Sequence, residues 1–139
     1  MRKILFFCLI CGGLLHLEAQ SLVVAAGGNF RVNSLEIDDI RALYLAKRFR
    51  VGNQKIILLN LGIDNPLRYK FEQDVLYEDR DTLAYAWLQA HYLGHRAPKV
   101  FKSQEAVAEF LSKVDNALGY VEEEIAQKYH LKILFWVKE

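Results

Sequence analysis

Along the chain, short unbroken apolar runs alternate with segments whose apolar residues recur every three or four positions. Ser21-Leu22-Val23-Val24-Ala25-Ala26 is apolar on successive residues and ends at Gly27-Gly28-Asn29, the pattern of a strand covered on both faces. Asn33-Ser34-Leu35-Glu36 has capping-box spacing, and Ile37, Ile40, Leu43 and Tyr44 fall on one helical face, which predicts a helix to about Lys47. After the turn signal Gly52-Asn53, Lys55–Asn60 reads as a second buried strand. Asn65-Pro66 is an N-cap and N1 pair for a helix carrying Leu67, Phe71 and Val75. Asp81 opens a further helix from Thr82 to about Leu93, with Leu83, Trp87 and Ala90 aligned, closed by Gly94 and Pro98. Ser103 caps the next, striped by Val107, Phe110, Leu111 and Val114. Asn116–Val121 reads as a turn into a strand, a brief helix passes through Ile125 and Tyr129, and Leu131–Val137 reads as the last strand.

This order, β-α-β-α-α-α-β-α-β, predicts an α/β domain: a mixed or mostly parallel sheet of about four strands with helices on both faces. No repeat, low-complexity tract or linker divides it, and 139 residues suit one domain.

The first 19 residues carry a different signal. Arg2-Lys3 precede an apolar stretch from Ile4 to Leu15, followed by Leu17-Glu18-Ala19. The stretch is shorter than the roughly 20 residues of a bilayer span and is interrupted by Gly12-Gly13. It reads as a secretory signal peptide, residues 1–19, cleaved after Ala19 to leave residues 20–139 as the mature domain without a membrane span. Both cysteines, Cys8 and Cys11, would leave with it, so the mature chain carries no disulfide and no thiolate metal site. The formal net charge of +1, mixed along the sequence, argues against nucleic acid as a partner.

Four local patterns are similar to those of the phosphate-specific ABC-transporter substrate-binding family, in the same order. Leu43-Tyr44-Leu45-Ala46-Lys47, with Gly52 beyond, is similar to a hydrophobic-aromatic-Leu-Gly-Lys segment, Ala46 standing where Gly is usual. Arg68-Tyr69-Lys70-Phe71 with Val75-Leu76 resembles Arg-x-x-Phe followed by Val-Leu. Tyr85-Ala86-Trp87, Tyr92-Leu93-Gly94 and Pro98 form the third, and Val114–Gly119 with Tyr120-Val121 the fourth. The resemblance runs from about Leu35 to Val121. It implies a type II periplasmic-binding fold, of which this chain is long enough for a single lobe, and a periplasmic location in a Gram-negative bacterium.

The resemblance fails where that family holds its ligand. Its members place an Arg and a Ser-Gly-Thr segment at the loop entering the helix of Arg68, where hydroxyls and backbone N–H groups encircle the anion. Asp64-Asn65-Pro66-Leu67 stands here instead: the hydroxyls are gone, Pro66 has no N–H, and Asp64 is negative. Only Arg68 matches. Because ligands of open α/β sheets sit at the carboxyl ends of strands, the candidate ligand residues are Gly28, Asn29, Asn60, Asn65 and Arg68, with Gly27 and Gly62 beside them.

Other chemistries find little support. His91 and His95 have the spacing of two metal ligands, but Gly94 intervenes and no acid accompanies them in the HExxH manner, so no metal site is expected. None of Ser21, Ser34, Ser103 and Ser112 sits in a Gly-x-Ser-x-Gly elbow, and phosphate-loop and dinucleotide fingerprints are missing. No catalytic residue and no cofactor is expected. Trp87, Tyr85, Tyr92 and Trp136 read as packing residues, and Asp38-Asp39 and Glu122-Glu123-Glu124 as first-turn acids. Two functions stay open. One is an exported solute-binding or sensing module with a reduced site, weak for a small oxyanion. The other is an envelope protein-interaction module, docking on a partner or forming a homodimer, that kept the fold and lost its ligand.

Overall fold

The computed structural model describes residues 21–138; the expected signal peptide with its cleavage after Ala19, and the two cysteines, lie outside the described residues. Strand β1 (Leu22–Ala26) is followed by helix α1 (Ile37–Tyr44), the two-residue strands β2 (Arg50–Val51) and β3 (Gln54–Lys55), and strand β4 (Ile57–Leu61). Helix α2 (Pro66–Phe71) runs into a π-helical turn, Glu72–Leu76, and then α3 (Arg80–Tyr92). Strand β5 (Lys99–Phe101), α4 (Gln104–Lys113), β6 (Ala117–Glu122), α5 (Glu123–Lys128) and β7 (Lys132–Trp136) complete the chain.

The main sheet is mixed and five-stranded, in the order β5-β4-β6-β1-β7. β4 runs parallel to both β5 and β6, whereas β1 is antiparallel to β6 and to β7. The fifth strand, β5, is a three-residue edge strand with two exposed positions, too short to announce itself in the sequence. Gly52-Asn53 is the turn of a separate β2–β3 hairpin.

Strand periodicity puts alternate side chains on opposite faces. At Gly119 a Cβ would lie 3.1 Å from Val107 Cγ1, so α4 presses directly on one face. On the other, the Tyr120 ring stacks on Phe71 at 4.0 Å, and Tyr44 meets Phe71 edge-on at 4.9 Å. Helices therefore cover both faces, and Tyr44, Phe71 and Tyr120 form a buried aromatic group beneath α1 and α2.

Several local signals hold. Asn65 Oδ1 accepts from the Leu67 N–H (2.8 Å) with Pro66 at N1, and Ser103 Oγ accepts from the Ala106 N–H (3.1 Å). Two caps are corrected. α1 begins at Ile37 with Glu36 as N-cap, its N–H donating to Asp39 Oδ2 (2.9 Å). Asn33 is not the cap because its Oδ1 accepts from Lys132 Nζ (3.0 Å), which ties the loop to β7. α3 is capped by Asp79, which accepts from the Thr82 N–H (2.8 Å), not by Asp81. α1 also stops at Tyr44, short of Lys47. Ala46 then adopts φ of 59°, the left-handed region that glycine occupies at least cost. The Ala that stands in place of a family Gly is therefore held in a glycine conformation.

The aromatic expectations need correction too. Tyr85, Tyr92 and Trp136 are more than half exposed, because α3 buries only Leu83 and Ala90 and β7 is an edge strand. Trp87 is half-buried, its Nε1 donating to the Tyr44 carbonyl (2.8 Å).

Candidate functional site

The antiparallel course of β1 divides the residues that the sequence groups together. Ala26, at the carboxyl end of β1, pairs with Leu118 near the start of β6, beside Leu58 of β4. Gly28 and Asn29 therefore lie at one end of the sheet, and Asn60, Asn65 and Arg68 lie at or just beyond the carboxyl end of β4, at the other. Gly28 is exposed in open space, and Asn29 Nδ2 contacts Asp115 Oδ1 at 3.4 Å. Gly27 has a packing role: a Cβ there would fall 2.3 Å from the Leu111 carbonyl oxygen. The five residues do not form one site.

At the β4 end the polar groups are linked. Tyr120 Oη donates to Asn60 Oδ1 and accepts from the Leu61 N–H (3.2 Å), which also donates to Asn60 Oδ1 (3.0 Å). Burial pushes the Tyr120 phenol well above its usual range, although the Leu61 N–H and Arg68 oppose the shift. It stays protonated and serves as a fixed donor. Tyr44 is raised for the same reason, and its Oη donates to the Leu59 carbonyl (2.6 Å).

Arg68 is anchored from two sides. Nη1 donates to the Leu61 carbonyl (3.0 Å), and Nε to Glu72 Oε2 (2.9 Å). Glu72 is the one charged residue among the described residues that is buried, at 2% exposure, and its other oxygen accepts from Arg80 Nε (2.7 Å). A carboxylate thus sits between two guanidiniums, one from α2 and one from the start of α3. The π-helical turn brings this about, starting at Glu72 and closing at Tyr77 in the left-handed region (φ 53°). Such turns are frequent at functional sites.

Beside this trio opens a cavity of about 230 Å³. Tyr44, Phe71, Leu76, Leu83 and Trp87 give it an apolar wall, and Asn60, Arg68, Glu72 and Arg80 a polar one. Asn65 is outside it, in a shallower hollow that also contains Lys70, Gln104 and Glu122. Of the sequence candidates, only Asn60 and Arg68 meet in the cavity. Glu72 and Arg80 escape sequence reasoning; Arg68 and Glu72 do have i,i+4 spacing, but nothing local singles out Arg80.

Among the described residues no group of three or more His, Cys, Asp or Glu could hold a metal ion. His95 is stacked on Phe49 at 3.5 Å. No helix among them is long and apolar enough to cross a membrane.

Comparison with known proteins bears on the fold. An ABC-type phosphate transport receptor from Vibrio cholerae superposes with a TM-score of 0.65 at 15% identity, covering 83% of this chain and 45% of that one. PstS from Borrelia burgdorferi matches with a TM-score of 0.65 at 14% identity, covering 84% and 47%. A third protein, from Clostridium perfringens and solved with bound phosphate, gives 0.68 at 12% identity, covering 83% and 44%. The chain spans less than half of each, and its fold is that of a single lobe of these binding proteins. No protein-family profile and no curated protein matches the sequence.

Proposed function

We propose that this chain is an exported, non-catalytic solute-binding or sensing module of the bacterial envelope, built on one lobe of the phosphate-receptor fold and no longer adapted to inorganic phosphate. The likeness of the fold to a phosphate transport receptor, to PstS and to a substrate-binding protein with bound phosphate carries the reading. The loss of phosphate is argued from the site: Asn65 Oδ1 is used as a helix cap, Pro66 and Leu67 offer no hydroxyl, and two of Arg68's donors are spent on Glu72 and Leu61. The signal-like residues 1–19 support export to the periplasm with cleavage after Ala19.

A second reading, the protein-interaction module, is favoured by one observation. Tyr85, Leu88, Tyr92 and Leu93 form an exposed apolar stripe on α3 and its end, 50–78% accessible. A thermal-shift and native-mass screen of the mature protein, recovered from a Gram-negative periplasm, separates the two. A solute adduct with a stabilisation that saturates supports the module. Absence of any adduct, together with capture of an envelope protein that Tyr92→Ser abolishes, supports the second. Recovery of an intact Met1 terminus in the membrane fraction would contradict export.

A further inference from the structure

We propose that the cavity beside Glu72 binds a small organic monocarboxylate, an aromatic or aliphatic acid of about ten non-hydrogen atoms. The inference rests on the reading of the chain as a solute-binding module and names the ligand class of the cavity at the β4 end.

Size sets the first limit. An apolar cavity of roughly 150 Å³ accommodates benzene, so about 230 Å³ accommodates one ring or chain plus a short polar head. Inorganic phosphate would leave most of the apolar wall wet.

The lining sets the second limit. Tyr44, Phe71, Leu83 and Trp87 line it with aromatic rings and a branched aliphatic group, and the lining residues Ile63 and Val100 are 56% and 59% exposed. Large apolar side chains left in water at a concave mouth gain from an apolar occupant.

The unspent hydrogen-bonding capacity sets the third. Arg80 uses Nε on Glu72, and neither of its terminal amino groups makes a hydrogen bond to a described residue. Arg68 uses Nε and Nη1, leaving Nη2. Asn60 Oδ1 is taken by Tyr120 and Leu61, leaving the Nδ2 amide. These remaining groups of Arg80, Arg68 and Asn60 are all donors, so the matching ligand group is an acceptor. Two guanidiniums against one carboxylate leave a net charge of +1, which suits a monoanion and disfavours cations. Glu72 holds both guanidiniums before a ligand arrives, lowering the ordering cost of binding.

The test is a titration of the full mature protein followed by calorimetry and by tryptophan fluorescence, to which Trp87 on the cavity wall and Trp136 away from it both contribute, with phenylacetate and hexanoate as probes. 2-Phenylethanol serves as the neutral analogue and inorganic phosphate as the bare oxyanion. The carboxylates are expected to bind with Kd below about 1 mM, and the alcohol about tenfold or more weaker. Arg80→Gln should weaken the carboxylates about tenfold or more, since Glu72 keeps Arg68. Ala84→Phe, at an exposed helix position on the cavity wall, should abolish binding while leaving the fold intact. Equal binding of acid and alcohol, indifference to Arg80→Gln, or no carboxylate binding with Kd below about 1 mM would overturn the proposal. Failure of the carboxylates while another solute stabilises the protein removes only this ligand class; failure of every solute removes the module itself.

Discussion

Glu72→Gln keeps the shape of the side chain and removes its charge, so it isolates what the buried carboxylate does for the fold. Glu72 accepts from Arg68 Nε at 2.9 Å and Arg80 Nε at 2.7 Å, and its own side chain is 3% exposed. Gln retains one oxygen for one guanidinium and turns an NH₂ group toward the other. One charge-assisted bond, worth about 1.5–3 kcal/mol, is lost, and the two guanidiniums face each other without the anion between them. Water recovers part of the loss at Arg80, whose side chain is 35% exposed, and less at Arg68, at 18%. The expected net cost is about 2–3 kcal/mol. For a domain of this size that lowers Tm by about 8–12 °C. Urea unfolding should show a lower midpoint at unchanged slope. A double-mutant cycle with Arg80→Gln should return a coupling of about 1 kcal/mol or more. A midpoint indistinguishable from the parent would refute the reasoning and reduce the trio to a surface ion pair.

Three further outcomes follow from the geometry. Trp87→Ala should cost about 2–3 kcal/mol in denaturant unfolding, less than a fully buried Trp, because it removes a half-buried ring and the bond to the Tyr44 carbonyl; a loss above about 4 kcal/mol would mean that the ring is packed more deeply. Ala46→Gly should stabilise by about 0.5–1 kcal/mol, by relieving a Cβ held at φ 59°, and a destabilised variant would show that the left-handed conformation is not strained. The backbone N–H of Glu36, aided by Arg48, holds the Asp39 carboxyl below its ordinary value of 3.8 despite partial burial. Its folded value lies below its unfolded one, so its contribution is complete above about pH 5 and fades as pH falls through 3.8 and below. The stability gap to Asp39→Asn should therefore narrow only in that acid range; a gap that is the same at pH 3 and pH 6 would show that its charge plays no part.

What the sequence disclosed depended on how local the cause was. Leu22–Ala26 is a strand whose burial on both faces is written in successive apolar residues, and Asn65-Pro66 and Ser103 carry their caps in adjacent atoms. The α/β class was legible from such signals in order, whereas the single lobe came only from the resemblance to a known family. The direction of β1 was not, since an apolar run reads the same either way, and that direction puts Gly28 and Asn29 far from Arg68. Glu72 looks like any helix-surface acid until Arg80, eight residues on, closes over it. Asn33 has the capping spacing, but its side chain is taken by Lys132, 99 residues away, and Glu36 becomes the cap.

The proposed function, a binding lobe no longer adapted to phosphate, stands or falls on calorimetry of inorganic phosphate with the mature protein. No saturation is expected, or a dissociation constant no tighter than about 1 mM, equivalent to roughly −4 kcal/mol. Pro66 and Leu67 carry no hydroxyl, Arg68 is held by Glu72 and Leu61, and an exposed helix end is screened at physiological salt. A micromolar constant, roughly −8 kcal/mol, that Arg68→Ala abolishes would contradict it and return phosphate to this lobe.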